Sequence, residues 1–111
     1  KYDNVPTEVD GIKFQSKLEA KYYVELEIRR KAGEVLYFLR QVPFHLPGGV
    51  IYRVDFQVIL PLAPGRGGVR IEYVDCKGFD KRESISKIKI VQALYGVKVE
   101  LVRKVKNHRS L

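Results

Sequence analysis

The residues best placed to do chemistry in this chain are Asp55, Asp75 and Lys77. Asp75 and Lys77 lie one residue apart in Ile71-Glu72-Tyr73-Val74-Asp75-Cys76-Lys77-Gly78. On a β-strand, which Ile71, Tyr73 and Val74 favour, alternate side chains share a face, so this carboxylate and this ammonium point the same way. Asp55 is the lone acid in the apolar run Tyr52–Leu60. There Val54, Phe56, Val58 and Leu60 are expected on one face and Arg53, Asp55 and Gln57 on the other. The two acids stand twenty positions apart, a spacing that suits neighbouring strands joined by a hairpin. Two carboxylates and a lysine so placed would hold a divalent cation beside an amine able to steer a water, the chemistry of metal-assisted phosphodiester cleavage. The same residues also admit plainer roles: a solvated Asp75–Lys77 ion pair, and Asp55 paired with Arg53 or Arg70.

Positioning these groups falls to a mixed set of elements. Lys1–Gln15 reads as an extended lead-in with a turn at Asp10-Gly11. Ser16-Lys17-Leu18-Glu19 has the capping-box pattern, a serine N-cap with an acid three residues on. It opens a helix over Lys17–Lys31, with Gly33 as the C′ residue. Leu18, Tyr22, Leu26 and Arg29, supplemented by Ala20, Tyr23 and Ile28, form a face broad enough to pack on a sheet. Val35–Gln41 and the shorter Pro43–Leu46 read as two extended pieces, Pro47-Gly48-Gly49 as a turn and Val50–Leu60 as the strand bearing Asp55. Pro61–Gly68, with two prolines and three glycines, is a hairpin loop from which Val69–Lys77 returns antiparallel. A second helix, capped by Asp80 or Ser84, runs to Tyr95 with Ile85, Ile88, Val91, Leu94 and Tyr95 inward. Gly96 ends it, and Val97–Arg103 forms a last strand before a basic tail, Lys104–Leu111. The order is an α/β fold of the αβββαβ kind, a mixed central sheet flanked by helices, in one domain over residues 1–111.

Composition narrows the class. A chain of 111 residues builds one real core and not two. With 45% hydrophobic and 31% charged residues it is a soluble globular chain rather than a disordered one. No apolar run approaches the roughly 20 residues of a membrane span, so a membrane partner is not expected. The excess of 21 Lys and Arg over 13 Asp and Glu, a net charge of +8, favours a polyanionic partner. The single cysteine, Cys76, excludes an internal disulfide and a Cys-based zinc cage, and fits a reducing cytoplasm. His45 and His108 are too isolated to form a zinc pair.

This element order, carrying Asp55 and then Asp75-Cys76-Lys77, resembles the PD-(D/E)XK nuclease superfamily and its restriction-endonuclease-like core. Val54-Asp55 stands where that family has Pro-Asp, Asp75 takes the second acid position and Lys77 the lysine. Glu19 matches the acid that many members carry on the first helix. Within the superfamily, the runs Thr7–Phe14, Ser16–Ala20 and Val74–Gly78 are similar to a small phage-encoded endonuclease group. Its nearest functional relatives are Holliday-junction resolvases, including one from a thermophilic phage. The resemblance implies a Mg²⁺-dependent, structure-selective DNA endonuclease, with Mn²⁺ able to substitute and no organic cofactor. It would act as a homodimer in the host cytoplasm, making paired symmetric nicks in a four-way junction. Asp55 and Asp75 would ligate the cation, with the Cys76 carbonyl as a third ligand. Glu19 would complete the shell through water or hold a second ion, although helix capping alone also accounts for it. Lys77 would position the attacking water or help to deprotonate it. A nuclease of the same fold acting on flaps, forks or duplex, and a non-catalytic basic nucleic-acid-binding module, remain alternatives.

Basic residues surround this constellation in sequence: Lys13, Lys17 and Lys21 around the first helix, Lys81, Arg82, Lys87 and Lys89 after the second acid, and Lys104, Lys106 and Arg109 in the tail. They would give DNA affinity through phosphates, without base readout and with strong salt dependence. Tyr22, Tyr23 and Val35–Phe38 offer apolar surface for a dimer face. Glu72 is assigned to the surface, and Gln57 to structural hydrogen bonding or a substrate contact.

Overall fold

Asp10 and Gly11 turn the start of the chain back on itself. Their φ angles are 53° and 78°, the positive values that a two-residue hairpin turn requires and that Asp-Gly supplies at low cost. The result is a hairpin of β1 (Thr7–Val9) and β2 (Ile12–Phe14), where the sequence suggested only an extended lead-in. The computed structural model describes residues 6–63, 65–77 and 82–105, and after the hairpin it has the expected αβββαβ order.

Helix α1 spans Lys17–Lys31, as predicted. The Ser16 hydroxyl accepts the Glu19 N–H at 3.1 Å, and Arg29, Arg30 and Lys31 occupy the last turn, favourably for the helix dipole. Its buried residues are Leu18, Ala20, Tyr23 and Leu26, and with them Glu19. Tyr23 lies between the rings of Phe14 and Phe38, at 5.1 and 5.7 Å, and Tyr22 packs on Phe56 at 5.3 Å. Tyr22, Tyr23 and the buried Val35 are therefore spent on the core, which corrects their reading as spare apolar surface.

Four strands, β3 (Tyr37–Leu46), β4 (Val50–Pro61), β5 (Val69–Cys76) and β6 (Val99–Val102), lie side by side in that order. β3, β4 and β5 are antiparallel neighbours, and β6 joins β5 in parallel after the crossover helix α2 (Arg82–Tyr95). The two extended pieces expected before the Pro-Gly-Gly turn are one strand, β3, interrupted at Gln41. Its position at the sheet edge lets it carry Pro43.

The pleat explains where the site must form. On β5 and β6, Val74, Cys76 and Val102 pack in the α1 core, whereas Tyr73, Val99 and Leu101 pack in the α2 core. Neighbouring residues of one strand point to opposite faces, so the two helices flank the sheet. β4 breaks this rule. Phe56, Val58 and Leu60 belong to the α1 core, but Tyr52 and Val54, at the same parity, belong to the α2 core. β3 divides likewise, with Phe38 on one side and Val42, Phe44 and Leu46 on the other. The expected single row of Val54, Phe56, Val58 and Leu60 is thus split between two cores, and the split falls at Asp55 and Gln41.

Helix α2 buries Ile88 and Val91 and leaves Leu94 and Tyr95 about half exposed, against expectation. Tyr95 lies across Phe44 at the rim, its hydroxyl donating to the His45 carbonyl at 2.7 Å. Ser84 sits inside the helix rather than capping it, and Asp80 lies outside the described residues. Among the described residues no helix is long and apolar enough to cross a membrane.

Candidate active site

The β4–β5 ladder ends at Phe56 opposite Val74. One step further stand Asp55 and Asp75, and there side chains take over from main chain. The Asp55 N–H donates to Asp75 Oδ1 at 2.8 Å, and the Cys76 N–H donates to Asp55 Oδ2 at 2.8 Å. Each aspartate thus has one oxygen fixed by the opposite strand and a second directed elsewhere. Asp55 Oδ1 accepts from Gln41 Nε2 at 3.2 Å. Asp75 Oδ2 is buried, has no hydrogen-bond partner and lies 3.6 Å from Lys77 Nζ, an ion-pair distance. Neither Arg53 nor Arg70 is the partner of Asp55; Arg70 is engaged by Glu72 at 2.6 Å.

From the other side comes Glu19, 5% exposed on the first turn of α1. Its N–H caps on Ser16, but its carboxylate faces the site, and the two roles are separate. Glu19 Oε1 accepts from the Gln15 N–H at 3.4 Å, and Oε2 accepts from Gln41 Nε2 at 3.0 Å, with an Arg40 guanidinium nitrogen at 3.9 Å. Gln41 is the residue that sequence reasoning missed. A single nitrogen of its amide bridges Glu19 and Asp55. Its backbone has φ 54° in the middle of a strand, and between Arg40↔Phe56 and Val42↔Val54 it makes no ladder pair with Asp55 opposite. For a glutamine that conformation costs on the order of 1 kcal/mol or more. By sequence alone, one extended piece ends at Gln41 and the next begins at Pro43, with no role for Gln41.

Burial sets the electrostatics. It pushes the carboxyls of Asp55 and Asp75 above the usual range, against the Cys76 N–H and the Lys77 ammonium for the first and chiefly against Lys77 for the second. Glu19 is raised by burial and then by the charge of Asp55. Cys76 has its thiol pushed far up, first by burial and then by Asp55, Glu19 and Asp75. Its main-chain N–H holds Asp55 in place. Lys77 Nζ lies 6.0 Å from the centre of the buried Tyr52 ring, which backs it.

Among the described residues no three His, Cys, Asp or Glu side chains are already gathered at distances that hold a metal ion. The donor set nonetheless suits a hard divalent cation. It is all oxygen, Asp75 Oδ2 is a buried carboxylate oxygen without a hydrogen bond, and Glu19 and Asp55 converge on one amide nitrogen.

Residues 1–109 match the family DUF1064, described as a protein of unknown function. The chain belongs to DUF1064. No curated protein and no solved structure matches it. For this DUF1064 chain, membership therefore supplies a family and no activity.

The remaining residues of interest in the DUF1064 chain divide by place. Lys13, Lys17, Lys21, Arg82, Lys89 and Lys104 are exposed, and Lys87 is half-buried and pairs with Glu83 at 3.7 Å. Lys81, Lys106 and Arg109 lie outside the described residues. Gln57 donates to the Tyr73 hydroxyl at 2.9 Å, a structural bond across β4 and β5. Gln92 accepts the Val99 N–H at 2.9 Å and ties α2 to β6.

Proposed function

We propose that this chain is a Mg²⁺-dependent, structure-selective DNA endonuclease of the PD-(D/E)XK kind, acting on four-way junctions as a Holliday-junction resolvase does. One observation carries the reading: Asp55 and Asp75 meet on adjoining strands, the Asp55 N–H donating to the Asp75 carboxylate and the Asp55 carboxylate accepting the Cys76 N–H, with Lys77 beside the second acid. The αβββαβ order and the resemblance of Val54-Asp55 and Asp75-Cys76-Lys77 to the nuclease pattern support it. Asp55, Asp75 and Glu19 would hold the cation, with the Cys76 carbonyl as a further ligand and Mn²⁺ able to replace Mg²⁺. When bound, the cation polarises the scissile phosphate and acidifies water.

The protein's own groups do the rest. Lys77, anchored to Asp75 and backed by Tyr52, presents an ammonium that orients the attacking water and offsets charge developing on the phosphate. Lys13, Lys17 and Lys21 near α1 and Arg82, Lys87 and Lys89 on α2 would bind flanking phosphates, with the tail from Lys104 onward adding to them. Two symmetric nicks require two centres, so a homodimer belongs to this reading, and exposed Tyr37 and Leu39 on edge strand β3, with Leu36 just before it, supply apolar surface for it. A host cytoplasm is the compartment that supplies both the DNA and a reduced Cys76.

The deciding experiment incubates the chain with labelled four-way junction, linear duplex, flap and single strand in Mg²⁺. Paired nicks in the junction, abolished by EDTA and by Asp75→Asn while binding persists in Ca²⁺, are expected. Cleavage of flap or duplex in preference would move the substrate within the same fold. No product on any substrate, with binding indifferent to Asp55, Asp75 and Lys77, would leave a basic binding module.

A further inference from the structure

We infer that Gln41 is a positioning residue for the cation: its amide nitrogen holds the Glu19 and Asp55 carboxylates together, and its carbonyl oxygen turns to the cation when one binds. The inference rests on the proposed metal site and extends it to a residue outside the acid–acid–lysine pattern.

Three observations meet at this side chain. Its Nε2 lies 3.0 Å from Glu19 Oε2 and 3.2 Å from Asp55 Oδ1, so one –NH₂ group, with its two hydrogens, serves two acids from different elements. Both acids are turned away from bulk water, Glu19 fully and Asp55 in part, and a neutral donor between them relieves their repulsion without adding charge. The backbone that delivers the amide is left-handed at a residue that is neither glycine nor asparagine, inside a strand whose pairing lapses at that position alone between two regular pairs. A strand that needed only a polar filler here would keep its ladder.

The amide has a second use that no lysine or arginine could supply. A half-turn about its terminal bond exchanges the –NH₂ for the carbonyl oxygen, an ordinary ligand for hard cations. The same side chain therefore bridges the carboxylates through nitrogen when they have no cation to share, and presents oxygen when they do. Arg40, whose guanidinium lies 3.9 Å from Glu19 Oε2 and 4.5 Å over the Phe14 ring, can balance charge but offers no such oxygen.

The test measures Mn²⁺ affinity of the full chain by electron paramagnetic resonance of free Mn²⁺, with no substrate and no turnover. Gln41→Met, of similar length without either polar atom, is expected to bind at least about 10-fold more weakly, in line with the loss of a supporting ligand. Gln41→Glu, which offers an oxygen in the same place, is expected to bind at least as tightly as wild type. Gln41→Met binding as tightly as wild type, or tighter, would overturn the inference and leave Gln41 a clamp that competes with the cation. Gln41→Glu weakened as far as Gln41→Met would overturn it too. Should either variant fail to fold, the ¹⁵N side-chain amide signals of Gln41 in the wild-type chain decide: they must shift on adding Ca²⁺, and unmoved signals reject the role. Wild type that binds no Mn²⁺ at all rejects the metal site and this inference together, whereas wild-type binding with indifferent variants rejects the inference alone.

Discussion

The main-chain N–H of Asp55 donates to the carboxylate of Asp75 at 2.8 Å, one step past the last regular pair of β4 and β5. Asp75 therefore holds the strands together at the point where the ladder stops and also carries a buried oxygen, Oδ2, that no hydrogen bond satisfies. The two duties can be separated. Asp75→Asn keeps an oxygen for the Asp55 N–H and removes the charge, so it should abolish Mg²⁺-dependent cleavage while leaving stability within about 1 kcal/mol of wild type. Asp75→Ala strands that N–H and should lose a further ~1–3 kcal/mol in urea melts. Equal stability of the two variants would show that the Asp55–Asp75 bond does not hold the strands.

Glu19 offers a similar separation. Its N–H is capped by Ser16, while its carboxylate faces Gln41 and Arg40. Ser16→Ala should cost about 1 kcal/mol of stability and leave the Mn²⁺ affinity unchanged. Glu19→Gln should keep the cap and weaken Mn²⁺ binding. A Glu19→Gln chain that binds Mn²⁺ as wild type does would return Glu19 to a capping role.

Lys77→Ala removes the ammonium beside Asp75. Cleavage should disappear while junction affinity in Ca²⁺ stays nearly intact, because the lysine acts on water and on developing charge. A large loss of affinity in gel-shift titrations would make Lys77 a phosphate anchor instead.

Protonation of the three buried site carboxyls should favour the folded, metal-free chain. Burial raises the carboxyls of Asp55, Asp75 and Glu19 above their ordinary values of 3.8, 3.8 and 4.5. Between those values and the raised ones the folded chain binds more protons than the unfolded chain, so these groups make stability fall as pH rises. Their contribution to stability is thus full below those ordinary values and is lost as pH rises through the raised ones, and Asp75→Asn should remove its share of that loss from Tm followed across the acid range. A wild-type slope unchanged by the substitution would remove Asp75 from the linkage.

Cys76 should resist alkylation. Its thiol is pushed far above the usual range by burial and three nearby carboxylates, so little thiolate forms near neutral pH. Iodoacetamide at about pH 8 should leave the folded chain unmodified and label it once urea unfolds it, as intact mass would show. Rapid labelling of the folded chain would mean that the thiol is accessible and ionised.

Much was legible before any coordinates, because local rules decide it. The Ser16 cap and Gly33 bound α1, apolar runs marked the strands of the sheet although β3 read as two pieces, and proline and glycine set the turns. Asp55 and Asp75-Cys76-Lys77 could be picked out because an acid within an apolar strand is costly to bury without a purpose. What strict alternation could not foresee was that β3 and β4 change faces at Gln41 and Asp55. That change sends Val54 to the α2 core and Phe56 to the α1 core, and it lets a glutamine from the edge strand reach a helix acid and a strand acid at once. Spacing along a chain records which groups share a strand face only while the pleat is regular. Where the ladder lapses, the partners of Asp55, Asp75 and Glu19 are chosen by packing between elements distant in sequence, and only the folded chain contains that choice.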